Sequence, residues 1–166
     1  MNIRNVNVER LSIVSNQSFD VVVGKLTAAV GHADLQKLGN AGRDGTSYEE
    51  YGRLVRSMVG PSDLMEFLRL DIGAVLRKAS GPSAPRNWRF IVGNPLIMQQ
   101  MVSHVPDAAS YVPVTILVDE RPDGVHLSYD RMVSLLAPYG DQDALRVADS
   151  LDKKVERLLI AAASKD

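Results

Sequence analysis

The sequence predicts an α+β protein, a two-layer sandwich in which helices pack on a mostly antiparallel sheet. Three stretches carry that prediction. Val112, Val114, Ile116 and Val118 alternate with Pro113, Thr115, Leu117 and Asp119. The turn residues Arg121-Pro122-Asp123-Gly124 follow and Val125, Leu127 and Tyr129 resume the alternation, so the two runs predict an antiparallel hairpin. Trp88-Arg89-Phe90-Ile91-Val92 reads as a buried strand, and Gly93-Asn94-Pro95 turns it into a helix reaching residue 105. Gly93 supplies a permissive backbone, Asn94 an N-cap, and Pro95 a first helical residue whose missing N–H costs nothing. The third stretch, residues 143–163, sets Ala144, Ala148, Leu151, Val155, Leu158, Leu159 and Ala162 in one helical stripe and leaves Lys153, Lys154, Glu156 and Arg157 in water.

The remaining elements follow in chain order. Residues 6–14 alternate imperfectly, which predicts a first strand at a sheet edge. Ser18 caps a helix with a face of Phe19, Val22, Val23, Leu26 and Val30, and Gly31 stops it. Residues 32–46, with Gly39, Asn40, Gly42, Asp44 and Gly45, read as a loop. Ser47 and Glu50 stand at capping-box spacing before a helix with Tyr51, Leu54, Val55 and Met58 inward, and Gly60-Pro61 ends it. Residues 64–71 are assigned to a strand and 73–79 to a short helix, although their dense apolar content fits either period. Pro106 breaks the helix that begins at Pro95.

At 166 residues the chain fits one domain, 1–166, with a sizeable core. Nineteen basic and 20 acidic residues give a net charge of −1, which provides no electrostatic case for nucleic acid or an anionic membrane as partner. The absence of cysteine excludes disulfides, thiolate metal sites and a cysteine nucleophile. His32, His104 and His126 have no metal-ligand spacing, so neither a metal nor another cofactor is expected. No apolar leader or membrane-length run occurs, and the expected location is the cytoplasm.

Taken together, Phe90-Ile91-Val92-Gly93-Asn94-Pro95, Val112-Pro113-Val114-Thr115-Ile116-Leu117-Val118 and Gly124-Val125-His126-Leu127-Ser128-Tyr129 resemble the domain-of-unknown-function family 302 (DUF302). Its members share a hydrophobic strand ending in Gly-Asn-Pro, a helix, a Leu-Pro type strand and an acidic hairpin leading to a Ser-Tyr or similar pair. The resemblance covers about residues 62–163. It implies a compact α+β fold, commonly a homodimer, and no agreed activity. The family tends to carry an acidic residue followed by His before the Gly-Asn-Pro strand, whereas Asp71 is followed here by Ile72. Residues 32–60 look longer than the family core and read as a loop-helix insertion.

Three functional readings follow. In the first, the protein is a small-ligand-binding module, a sensor or accessory protein without chemistry of its own. Free N–H groups at the Gly93-Asn94-Pro95 helix start hold an anion, Arg89 or Arg86 supplies counter-charge, and Tyr129 and Arg131 approach from the hairpin end. The alternative reading of Gly93-Asn94-Pro95 is a well-formed strand-to-helix turn and nothing more. In the second, a small hydrolase- or isomerase-like enzyme uses Asp71 as acid or base, a role that burial between Leu70 and Ile72 would favour by raising its pKa. No sequence-adjacent titratable partner supports it. In the third, the chain is a structural dimeric interaction protein. Asp130 is expected to cap a helix starting at Met132, His104 to sit in the last turn of the Pro95 helix, and His126 to lie on a solvated hairpin face with Asp119 across from it.

Overall fold

The computed structural model describes residue 1 and residues 3–165. Among them the sheet has six strands: β1 (Arg10–Ser15), β2 (Gly31–His32), β3 (Met65–Asp71), β4 (Asn87–Gly93), β5 (Val114–Arg121) and β6 (Gly124–Asp130), in the order β1-β6-β5-β4-β3-β2. Every pairing is antiparallel except the short one between β2 and β3. The helices are α1 (Phe19–Ala29), α2 (Leu35–Ala41), α3 (Tyr48–Arg56), α4 (Gly73–Ser80), α5 (Pro95–Val102), α6 (Met132–Leu136) and α7 (Gln142–Ala163).

Strand alternation places the core. Phe90 and Val92 of β4, Val114, Ile116 and Val118 of β5, and Val125, Leu127 and Tyr129 of β6 are buried on one face. There they meet Phe19, Val22 and Leu26 of α1, Met101 of α5 and the stripe of α7 in one cluster. Toward β3 the layer is closed by Arg69, which pairs with Glu66 at 2.6 Å and lies 4.6 Å from the Phe90 ring centroid, so its stem and its charge both serve the core margin. The opposite face carries Leu68, Leu70, Arg89, Ile91, Thr115 and Leu117, all half-exposed or exposed. A second, smaller cluster of Leu38, Val55 and Met65 joins α2 and α3 to the far end of β3.

The α+β sandwich expected from the sequence is the observed architecture. Several local expectations are corrected. The first strand is Arg10–Ser15, not residues 6–14, because its register is set by β6, with Arg10 opposite Asp130 and Ser15 opposite Val125. It is an edge strand, as its imperfect alternation suggested. Residues 32–46 are not loop throughout: Asp34 accepts a bond from the Lys37 N–H at 2.9 Å and starts α2. This cap and the burial of Leu38 outweigh the low helix propensity of Gly39 and Asn40. Gly31 does not end α1. It lies in β2, where an added Cβ would fall 1.7 Å from the Met58 carbonyl oxygen, so its role is close backbone approach. His126 is 8% exposed and Ser128 9%, so the hairpin face they share is not solvated.

Candidate functional site

A cavity of about 330 Å³ opens where β4 turns into α5. Leu35 and Leu38 of α2, Tyr51 of α3, Phe67 of β3, Gly93, Asn94 and Pro95 at the turn, Met98 and Met101 of α5, and Leu151 of α7 line it. The chain builds this concavity because α2 and α3 bury their own apolar residues against Met65 rather than against the main helix layer, and the space between the two cores is left open. Its size lies at the lower end of the roughly 300–1,000 Å³ usual for small-molecule sites, and its walls are almost wholly apolar.

The helix start within this lining is already satisfied. Asn94 Oδ1 accepts from the Leu96 N–H at 2.9 Å, and the Asn94 carbonyl accepts from Ile97 and Met98 at 3.1 and 3.0 Å. Pro95 has no N–H, and with the Leu96, Ile97 and Met98 N–H groups taken inside the turn the first turn of α5 offers none of them to an anion. The Asn94 amide donates to the Asp63 carbonyl at 3.0 Å and to Asp63 Oδ1 at 3.2 Å. Asp63 has φ of 60°, a left-handed conformation that Asp tolerates better than most residues, and its carboxylate also receives Lys154 Nζ at 3.0 Å. A carboxylate therefore stands beside the position expected to attract an anion.

The other candidate residues lie apart. Asp71 closes β3, where it accepts from the Ala74 N–H at 2.9 Å and pairs with Arg77, so it starts α4 and does not enter the cavity. Arg86 is held by Asp20 at 2.7 Å and Glu120 at 2.8 Å. The Glu120 carboxyl is kept below the ordinary carboxylate range by its hydrogen bond to Arg86. Arg89 points to the outer sheet face and donates to Thr115 Oγ1 at 3.1 Å. Tyr129 is buried on the inner face with its hydroxyl donating to Asp152 Oδ1 at 2.7 Å. Burial and the neighbouring carboxylate push the Tyr129 hydroxyl well above its usual pKa. Arg131 pairs with Glu9 at 3.2 Å and approaches Asp152 at 3.7 Å. The structure thus brings Gly93, Asn94 and Pro95 to the cavity, leaves Asp71, Arg89, Tyr129 and Arg131 outside it, and brings Tyr129 and Arg131 together at Asp152.

Asp152 is the residue that sequence reasoning missed. It is 1% exposed and accepts from the Met132 and Val133 N–H groups at 2.7 and 3.1 Å, so it starts α6 in place of the expected Asp130. Asp130 instead holds Arg10. A signal was present: Asp152 stands four residues after Ala148 and three before Val155, an acid on the buried stripe of α7. His104 falls beyond the end of α5, 3.9 Å from Asp141. His104, Asp141 and Asp143 bring ligand atoms within 4.8 Å of one another. Asp141 caps α7 through the Ala144 N–H at 2.8 Å and Asp143 pairs with Arg146, at a helix end whose dipole disfavours a cation. His126 stands opposite Asp119 in the hairpin, as expected, but its Nε2 meets Asp123 at 2.9 Å while Asp119 holds Arg121. Among the described residues no helix is long and apolar enough to cross a membrane.

The comparisons with known proteins agree with this architecture. No curated protein matches the chain. A crystal structure of an uncharacterized conserved DUF302 protein from Bacillus stearothermophilus superposes with a TM-score of 0.64 over 92% of this chain and 97% of that one, at 9% identity, a likeness of fold alone. Residues 43–162, well over half of the sequence, match the family described as "Domain of unknown function DUF302". The chain belongs to the DUF302 family.

Proposed function

We propose that the protein is a binding module of the cytoplasm, a sensor or accessory protein, whose ligand is a small apolar molecule seated at the Gly93-Asn94-Pro95 turn. The observation that carries this reading is the lining of the cavity: leucine, methionine and phenylalanine side chains from four elements converge on it, while the polar atoms of Asn94 are spent on the protein. An apolar ligand gains about 0.8 kcal/mol per methylene removed from water, and nothing in the lining compensates an ion for lost hydration. Tyr51, whose hydroxyl has no hydrogen bond among the described residues, offers the ligand one polar contact. The acid-base role of Asp71 loses support, because its carboxylate is committed to Ala74 and Arg77 outside any cavity.

The test uses N-phenyl-1-naphthylamine, an uncharged dye that fluoresces in apolar surroundings. The protein is expected to bind it saturably, Met98→Glu to weaken binding at least about tenfold by placing a charge in the lining, and Arg89→Gln to leave it unchanged. Absence of saturable binding, or equal binding by Met98→Glu, overturns the reading.

A second reading concerns assembly. Beyond Glu66 the outer edge of β3 pairs with no strand among the described residues, and Leu68, Leu70, Ile72, Val75 and Leu76 beside it are exposed. This margin is where a second copy of the chain would join to form a homodimer.

A further inference from the structure

We propose that the outer sheet face carries a second binding site, separate from the apolar cavity, which takes a monoanionic carboxylate with an apolar body and holds it through Arg89. The groove there measures about 520 Å³. Its floor is a cross-strand row in which Arg89 of β4 stands opposite Leu117 of β5, and Leu117 opposite Ser128 of β6. Arg10, Asp130 and Thr115 line it beside that row, and Tyr111 and Leu135 contribute apolar wall.

The charges that line the groove select the class of ligand. Asp130 is bound in a two-toothed pair by Arg10 at 2.6 and 2.8 Å, and Asp119 is held by Arg121 at 2.6 Å. Arg89 makes no ion pair among the described residues, and its one hydrogen bond, to Thr115 Oγ1, leaves the rest of its fork of N–H donors open to the groove. Arg10 and Asp130 cancel, so the groove presents one net positive charge to a bound molecule. A planar guanidinium fork matches a carboxylate, and a single charge matches a monoanion. A dianion such as phosphate would bring its second charge toward Asp130. Ser128, a residue 9% exposed whose hydroxyl makes no hydrogen bond among the described residues, adds a polar contact, and Leu117, Tyr111 and Leu135 cover the apolar body. The groove and the apolar cavity share only Pro113 and Val114, so a variant in one leaves the other's distinctive lining in place.

The experiment is calorimetric titration of the full chain with benzoate, cinnamate and octanoate, each paired with its uncharged amide, and with inorganic phosphate. At least one carboxylate is expected to bind, its amide at least about tenfold more weakly, and phosphate not at all. Arg89→Gln should abolish carboxylate binding, Arg89→Lys should retain part of it because the charge remains without the fork, and Met98→Glu should leave it intact. Arg89 is exposed, and a melting temperature equal to that of the native chain shows that its variants fold. No binding by any carboxylate, equal binding of acid and amide, tighter binding of phosphate, or binding unaffected by Arg89→Gln each overturns the proposal. Loss in Met98→Glu with retention in Arg89→Gln also overturns it and moves the carboxylate to the apolar cavity. Failure of the naphthylamine dye to bind bears on the cavity alone.

Discussion

Asp152 joins three parts of the chain through one carboxylate. Its Oδ1 takes the Tyr129 hydroxyl and the Met132 N–H, its Oδ2 takes the Val133 N–H, and Arg131 stands 3.7 Å away. A helix start is thus capped from another helix, and the phenol at the end of β6 is locked inward. Burial nevertheless pushes the Asp152 carboxyl above the ordinary carboxylate range, outweighing these hydrogen bonds. The consequence for stability has a definite sign. Below the unfolded-state value of about 3.9 both states are protonated. Between that value and the raised native midpoint the folded carboxyl keeps a proton that the unfolded chain has released, so this group's contribution falls as pH rises through the window and is constant above it. The check is the difference in unfolding free energy between the native chain and Asp152→Asn, followed from acid to neutral pH. A contribution that rises with pH would mean that the three donors prevail over burial. Asp152→Ala removes the acceptor of all three and is expected to cost about 3 kcal/mol at neutral pH.

At the scale of elements, what was legible in the sequence was what is settled within a few residues. Ser18, the Ser47–Glu50 capping box and Asn94 all start helices where their spacing placed them, because a cap acts on N–H groups two or three residues ahead. The hairpin of β5 and β6 was legible for the same reason, since alternation and turn chemistry are adjacent in sequence. The start of α2 escaped notice because Gly39, Asn40 and Gly42 mask a helix that depends on Asp34 and on the burial of Leu38 against Val55 and Met65, partners distant in the chain. Asn94 combines the local and the distant. It caps α5 and also ties α5 to Asp63 in its left-handed conformation. Asn94→Ala should therefore cost about 2 kcal/mol, more than the ~1 kcal/mol of a cap alone, while Asn94→Ser, which keeps a cap acceptor, should lose about half as much. Urea unfolding measures both, and an Asn94→Ala loss no larger than that of Asn94→Ser would show that the Asp63 contact contributes nothing.

For the molecule as a whole, the candidate site was legible only in part, and the reason is geometric. Gly93, Asn94 and Pro95 are consecutive and reach the cavity together. Arg89 and Tyr129 leave opposite faces of the sheet, which parity along β4 and β6 dictates, but no local pattern tells which face the helices cover. The facing walls from α2, α3 and α7 come from positions as far apart in the chain as Leu35 and Leu151, beyond the reach of any spacing rule. The same coverage leaves one margin of the sheet unfinished. β2 pairs with β3 at Met65 and Glu66, after which the edge pairs with no strand among the described residues. Leu68 is 50% exposed and Val75 72%. An edge strand with exposed leucines is a template for another strand, and in the proposed homodimer antiparallel pairing of β3 with its own copy about a two-fold axis would continue the sheet and bury the leucines of both chains in one self-complementary contact. Sedimentation equilibrium at tens of micromolar protein should then give a dimer for the native chain and a monomer for Leu68→Lys, because lysine places a hydrated charge on the strand that must be covered. Leu68 is too exposed for this change to unfold the protomer, and an unaltered far-ultraviolet circular dichroism spectrum would establish that. A native chain that sediments as a monomer refutes the assembly outright, whereas a dimer indifferent to Leu68→Lys refutes this edge as its contact.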